Sequence, residues 1–320
     1  FTAEEVTTAF LARIREVNPK IHAVVQVQWD AAMVQARAAD ANVKRGASVG
    51  PLHGVPMTIK DSLDTAGIIS TAGTTGRAAF VPSRDAAVVA RLKAAGAIVL
   101  AKSNTPELTL HGYAENLIYP RTNNPYDLGR SPMGSSGGAA AIVAAGGSAF
   151  DVGSDTGGSV RIPAHVNGVC GLTPTAGRIA RTGHVISFDT FDQALTTLGP
   201  ITRYVEDLET ILRVIAGSDG ADPFAYDLPL GESRGLDIAT LSAAFPSACD
   251  RTGDTKPRAA GERRSIEDVL SDARARAPKP ADNLETRVRA EIANLKLARR
   301  QMIQTTEGEA ERLPREVIEL

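Results

Sequence analysis

The chain has 320 residues, a formal charge of −2 and 22% charged residues. That length holds one large domain or two small ones around a buried core, and the balanced charge excludes the basic surface that nucleic acid or an anionic membrane demands. Two cysteines, Cys170 and Cys249, exclude a disulfide framework and fit a reducing, cytoplasmic setting, and no apolar run reaches the ~18 residues of a membrane span.

Thr2 and Glu5 form a capping-box pattern, and Val6, Phe10, Ile14 and Val17 follow at helical spacing; Asn18-Pro19 is expected to close that helix. Asp30 to Lys44 reads as an Ala-rich helix stopped by Gly46. A turn at Pro51 leads into a short apolar strand, Val55 to Ile59. Ser83 is expected to cap a helix from Arg84 to Ala95, with Gly96 ending it and Ala97 to Leu100 forming a buried strand. This step from helix through glycine to strand is an α/β signature. Gly137 to Ala145 reads as a small-residue helix, Ala149 to Val152 as a strand, and Arg203 to Ala216 as an amphipathic helix.

The composition breaks near residue 231. Residues 232–320 carry 16 acids and 16 bases, about 36% of their positions, against about 17% before the break, and hold only 4 of the 29 glycines. Asn283 to Gln304 reads as a solvated amphipathic helix, while 248–262 and 277–282 read as irregular. The chain begins with Phe1 rather than Met, so its native start is expected to lie elsewhere.

Chemistry concentrates in residues 131–161, SPMGSSGGAAAIVAAGGSAFDVGSDTGGSVR. Two Ser-Gly clusters, Gly134 to Gly138 and Asp155 to Ser159, flank one helix and one strand. Glycine permits sharp turns and close approach, and successive exposed N–H groups there can hold an anion. Two flexible loops would explain the composition but not the serine kept inside each glycine frame. Neither nucleotide-binding glycine motif is present. Gly134-Ser135-Ser136-Gly137-Gly138 formally matches a nucleophile elbow with Ser136 as nucleophile. That chemistry needs a late histidine, and His22, His53, His111, His165 and His184 all precede the last 136 residues. A serine without a histidine needs another base. Lys60, at the end of the apolar strand, can serve if burial or nearby positive charge lowers its pKa by several units. Taken alone, Lys60 reads more readily as a surface lysine paired with Asp61 than as a base.

Several stretches together resemble the amidase signature hydrolases: GVPMTIKDS (54–62), AAGAIVLAKSNTPE (94–107), RTNNPYD (121–127), GSSGGAAAIVAAGG (134–147), GSDTGGSVRIPAHVNGVCGLTPTAGR (153–178) and GPITRYVEDL (199–208). The likeness runs from about residue 4 to 217. It implies an α/β fold, a central mixed β-sheet covered by helices on both faces and incomplete at its C-terminal end. The catalytic part is expected over 1–231, and 232–320 form a charged segment that does not match the family.

The resemblance implies a Ser–cis-Ser–Lys triad of Ser159 as nucleophile, Ser135 as bridge after a cis Gly134–Ser135 peptide, and Lys60 as base. It places the oxyanion hole on the N–H groups of Thr156, Gly157, Gly158 and Ser159. Ser136 is expected to bond the neighbouring loop, Asp155 and Arg161 to pair and hold the nucleophile loop, and Met133, where the family usually carries Gly, to wall or narrow the acyl pocket beside Gly134. Cys170 is expected in the core. His165 is expected as a hydrogen-bonding residue, and no metal spacing is present.

The implied function is hydrolysis of the C–N bond of small carboxamides, with Thr105 to Asp127 and Arg181 to Phe188 resembling the branch that accepts anilides, esters and carbamates. The alternatives are the amidase subunit of a tRNA-dependent amidotransferase, which needs partner subunits and an ammonia channel, and a shortened homologue without catalysis. No cofactor, metal, nucleic acid or membrane is expected. The expected partner is the small-molecule substrate, and a homodimer is allowed.

Overall fold

The computed structural model describes residues 1–185 and 195–230. The helix expected at 283–304 and the irregular stretches at 248–262 and 277–282 lie outside the described residues.

Helix α1 spans Ala3–Ile21 and opens on the expected capping box: Glu5 N donates to Thr2 Oγ1 at 3.1 Å and Thr2 N to Glu5 Oε2 at 3.0 Å. It does not stop at Pro19. A proline in the last turn forfeits only one intrahelical bond, and the helix continues until His22, at φ 49°, donates its N–H to Asn18 O at 2.8 Å. Strand β1 (Val24–Val27), helix α2 (Trp29–Lys44) and strand β2 (Pro56–Lys60) follow. Helix α3 (Ala87–Ala94) begins later than expected and Ser83 does not cap it. Its first N–H, on Ala87, already finds the Thr182 carbonyl at 3.0 Å, so no capping side chain is required.

The remaining elements are β3 (Ile98–Ser103), α4 (Gly137–Ala144), β4 (Phe150–Asp155), α5 (Arg161–Val166), β5 (Cys170–Gly171), β6 (Thr197–Thr202) and α6 (Val205–Ile215). The hydrogen-bonded ladders form two three-stranded segments, β1-β3-β2 and β4-β6-β5. In the first, β2 runs parallel to β3, setting Ile59 opposite Lys102 and Lys60 opposite Ser103, while β1 is antiparallel. The second is antiparallel throughout, with Asp155 opposite Thr197. Side chains join the two. Thr58 N donates to Ser148 Oγ at 2.8 Å and Thr58 Oγ1 to Asp151 Oδ2 at 2.5 Å, which stitches β2 to the start of β4.

Phe10 and Ile14 of α1, Ala32 and Ala36 of α2, Leu100 of β3 and Ile142 of α4 share one core. Burying side chains of the Phe and Ile kind is worth about 1.5–3 kcal/mol each. Helix α4 is apolar around its circumference and buried from Gly137 to Val143, as such a helix must be. Gly138 makes this possible, since a Cβ there would strike the backbones of Asn104 and Ala23. The start of α4 is thereby pressed against the chain leaving β3, which lies beside the end of β2, where the candidate site lies.

Candidate active site

All five residues of β2 are buried, and Lys60 stands at its C-terminal end with no exposed surface. Its Nζ donates to three hydroxyls: Ser135 Oγ at 2.6 Å, Ser136 Oγ at 2.9 Å and Ser154 Oγ at 3.0 Å. No carboxylate forms an ion pair with it among the described residues, so Lys60 is not a surface lysine paired with Asp61. Burial lowers its pKa to about 7, against the opposing pull of Asp151 and Asp155.

The Gly134–Ser135 peptide is cis, as the resemblance implied. Thr105 Oγ1 donates to Ser135 O at 3.1 Å and fixes this turn. Ser136 does bond the neighbouring strand, donating to Ser154 O at 3.2 Å, but it also accepts from Lys60. Close approach here needs Gly153, where a Cβ would stand 2.5 Å from Ser136 Oγ. Ser136 N donates to Ser159 O at 3.1 Å and ties the two serine loops together.

The loop after β4 is organised by one carboxylate. Asp155 accepts from the N–H groups of Gly158 at 2.8 Å, Val160 at 2.9 Å and Arg161 at 3.2 Å, from the Thr173 hydroxyl at 3.0 Å, and from the Arg161 guanidinium at 2.9 and 3.1 Å. Burial alone would raise its pKa; the guanidinium and the backbone donors outweigh that and hold the carboxyl well below the usual range. Asp155 and Arg161 pair across this loop, and the same carboxylate gathers its backbone N–H groups.

One expectation fails here. The Gly158 N–H is spent on Asp155, so it does not face the cavity as an oxyanion donor. Thr156 and Gly157 are exposed and Ser159 half-buried, and their N–H groups take no hydrogen-bond partner among the described residues.

These residues surround a cavity of about 310 Å³, walled by Gly134, Ser135, Ser154, Thr156, Gly157 and Ser159. The loop from Thr109 to Gly112, with Ile162, His184 and Thr196, completes it. Ser159 and Ser135 open on the same cavity, with no hydrogen bond between their hydroxyls in this state. Met133 is not part of the wall. Its φ is 61°, in the left-handed region that glycine tolerates best, which accounts for the glycine usual at this place in the family without any role in the pocket. Cys170 is half-buried on β5 rather than in the core, with Sγ 3.7 Å from Arg203 O. His165 is exposed. Among the described residues no cluster of His, Cys, Asp or Glu could hold a metal, and no helix is long and apolar enough to cross a membrane.

Sequence reasoning missed Ser154, the third hydroxyl on Lys60, and a polar layer below it. Asp151 and Lys102 are fully buried and Asp61 nearly so. Lys102 Nζ donates to the Leu63 carbonyl and, at 2.8 Å, to Thr65 Oγ1, while Asp61 accepts from the backbone N–H of Thr71 at 3.0 Å and from its hydroxyl. A lysine in an apolar strand, Lys102 in IVLAKS, is the sequence signal for such a layer.

The family profile described as Amidase matches residues 5–244. The chain belongs to the amidase family. A relative from Moorella thermoacetica, named as a subunit of glutamyl-tRNA(Gln) amidotransferase, is 46% identical over 233 residues, covering 73% of this chain and 47% of the relative. Among solved structures, a protein of a vestigial complex bearing on the origins of an s-triazine catabolic enzyme superposes with a TM-score of 0.68 at 36% identity, covering 72% of this chain and 50% of its own. Native peptide amidase from Stenotrophomonas maltophilia does so with a TM-score of 0.66 at 36% identity, covering 72% and 48%. The chain thus spans about half the length of the curated relatives it matches, and its family is that of enzymes built on this α/β fold.

Proposed function

We propose that this chain carries an amide C–N cleaving site that works through a Ser159 acyl-enzyme. The observation behind this reading is the fully buried Lys60 amine within 2.6 Å of Ser135 Oγ, in the wall of the cavity that Ser159 enters. Ser159 Oγ adds to the amide carbonyl carbon. Its proton passes to Ser135 Oγ, and the proton of Ser135 passes to neutral Lys60. The relay then returns a proton to the departing nitrogen as the C–N bond breaks, leaving the acyl group on Ser159. Water repeats the sequence, releasing the carboxylic acid and restoring the serine. The Ser159–Ser135 contact closes when substrate is bound, as catalytic hydrogen bonds often do. The N–H groups of Thr156, Gly157 and Ser159 are available to hold the developing oxyanion, each worth about 10²–10³ in rate.

The name of the Moorella relative favours one form of this chemistry, that of the amidase component of a tRNA-dependent amidotransferase, in which a primary carboxamide yields ammonia that travels to a partner protein. The anilide, ester and carbamate reading draws no support from the relatives described above. A substrate panel separates the two. Under the amidotransferase reading, ammonia is released from primary carboxamides faster than 4-nitroaniline from anilides or 4-nitrophenol from esters, and a partner protein co-purifies. Preferred turnover of anilides or esters with no partner would reverse the order. A folded protein that turns over none of them would remove the catalytic reading altogether.

A further inference from the structure

Lys60 is surrounded by hydroxyls and yet must gain and lose a proton in a buried place, so some nearby group has to answer its charge. The ionisable groups around it divide plainly. From β3 comes Lys102, whose own charge is answered first by Asp61, then by Asp64, itself paired with Arg77, and then by Asp151. From the loop after β4 comes Asp155, already committed to Arg161. Helix α4 contributes no ionisable residue, and the charged residues of α1 lie outside the buried set. Asp151 of β4 remains. It is fully buried, its Oδ1 has no hydrogen-bond partner, and its Oδ2 is held 2.5 Å from Thr58 Oγ1. Thr58 lies two residues before Lys60 on the same strand, beyond the irregularity at Met57/Thr58, so the two side chains project from the same face of β2, roughly 7 Å apart along the strand.

We infer that Asp151 is a positioning residue for Lys60: clipped to Thr58, its carboxylate holds β2 under the serines and supplies the buried negative charge against which Lys60 takes up its proton. The inference rests on the reading of Lys60 as the base. When Ser159 adds to the carbonyl and Lys60 becomes an ammonium, an ionised Asp151 is the first of the two buried negative charges, ahead of Asp155, that favour the proton there, and it shares its charge with Lys102 of β3. Burial pushes the Asp151 carboxyl up to about 7, against the Thr58 hydroxyl that favours the ionised form, so its charge changes in the same pH range as that of Lys60.

The test follows the rate of Ser159 modification by a fluorophosphonate as a function of pH in the intact chain. Asp151→Asn keeps the shape and a hydrogen-bonding group but removes the charge. Lys60 then holds its proton less tightly, and the rising limb of the profile moves to lower pH, by about 0.5–1 unit for one negative charge removed from a protein interior. Thr58→Val leaves the carboxylate but withdraws the hydroxyl that favours its ionised form. It moves the limb the same way by less, and decides the matter if Asp151→Asn does not fold. A limb that stays in place in the folded variants, with only a lower plateau or lower melting temperature, would make Asp151 merely structural and overturn the inference; so would a limb displaced to higher pH. Lys60→Ala reports separately on the underlying reading. A steep loss of labelling there upholds the base whatever Asp151 does, whereas a profile that still rises with pH in Lys60→Ala removes Lys60 as the base.

Discussion

The floor of the site and its rim both bury an ionisable group, and the outcomes are opposite. On the rim, Asp155 meets a guanidinium and three backbone N–H groups, and it stays ionised despite burial. On the floor, Lys60 meets three neutral hydroxyls and no carboxylate, and burial brings it down to about 7. Burial alone therefore does not decide charge; the identity of the touching groups does. A loop that must hold its shape is built around a fixed charge, and a base that must change its charge is built among groups that donate and accept equally well.

The largest expected effect falls where rim and floor meet. Ser159→Ala should lower kcat/KM for amide hydrolysis by about 10⁴-fold or more, and Lys60→Ala by about 10³–10⁴-fold, with the double variant no worse than the more severe single one, as for residues acting as a unit. Additive losses would break the link between the two regions. Removing the fixed charge tests the rim alone: Asp155→Ala should cost about 3 kcal/mol of stability in denaturant unfolding, because Arg161 and the loop N–H groups lose their acceptor. The sign with pH follows from the depressed carboxyl. The Asp155 contribution is present above its unfolded value near 3.8 and is lost as pH falls further. For Lys60 the sign is the same, but the quantity is activity rather than stability and the range lies higher. Below about 7 the amine is protonated and cannot accept, so amide turnover should rise through about pH 7 and level off above it. A flat profile would put Lys60 with the fixed charges. The smallest effect is expected for Ser154→Ala, about 3- to 10-fold in kcat, since it removes one of the three acceptors on Lys60 and leaves the bridging Ser135 in place.

Much of this site was legible in the chain. Lys60 closes an apolar strand, and two glycine frames carry the serines, so local pattern and the family resemblance together name Lys60, Ser135 and Ser159. The same holds for α1 and α4, where a capping box and a run of small residues state the element directly. What escaped depends on which strands lie side by side. Ser154 meets Lys60, and Asp151 meets Thr58, only because β2 packs against β4, and nothing within either strand sets that alignment. Strand β6 was equally hidden, since TLGPIT carries a glycine and a proline that argue against a central strand, yet Pro200 sits opposite Val152 in the ladder. Pro19 and Ser83 misled for a related reason: a helix end is set by whichever partner reaches its free backbone groups, and for α3 that partner is the Thr182 carbonyl, far away in sequence.

The most direct test of the central assignment needs no knowledge of the natural substrate. The intact protein is treated with a fluorophosphonate, and the adduct is located by mass spectrometry in the unaltered chain, in Ser159→Ala and in Lys60→Ala. The expected result is one adduct on Ser159, none in Ser159→Ala, and labelling in Lys60→Ala slowed by about 10³-fold. An adduct that persists in Ser159→Ala, or one that maps to Ser135 or Ser136 in the unaltered chain, would contradict the assignment of Ser159 as nucleophile.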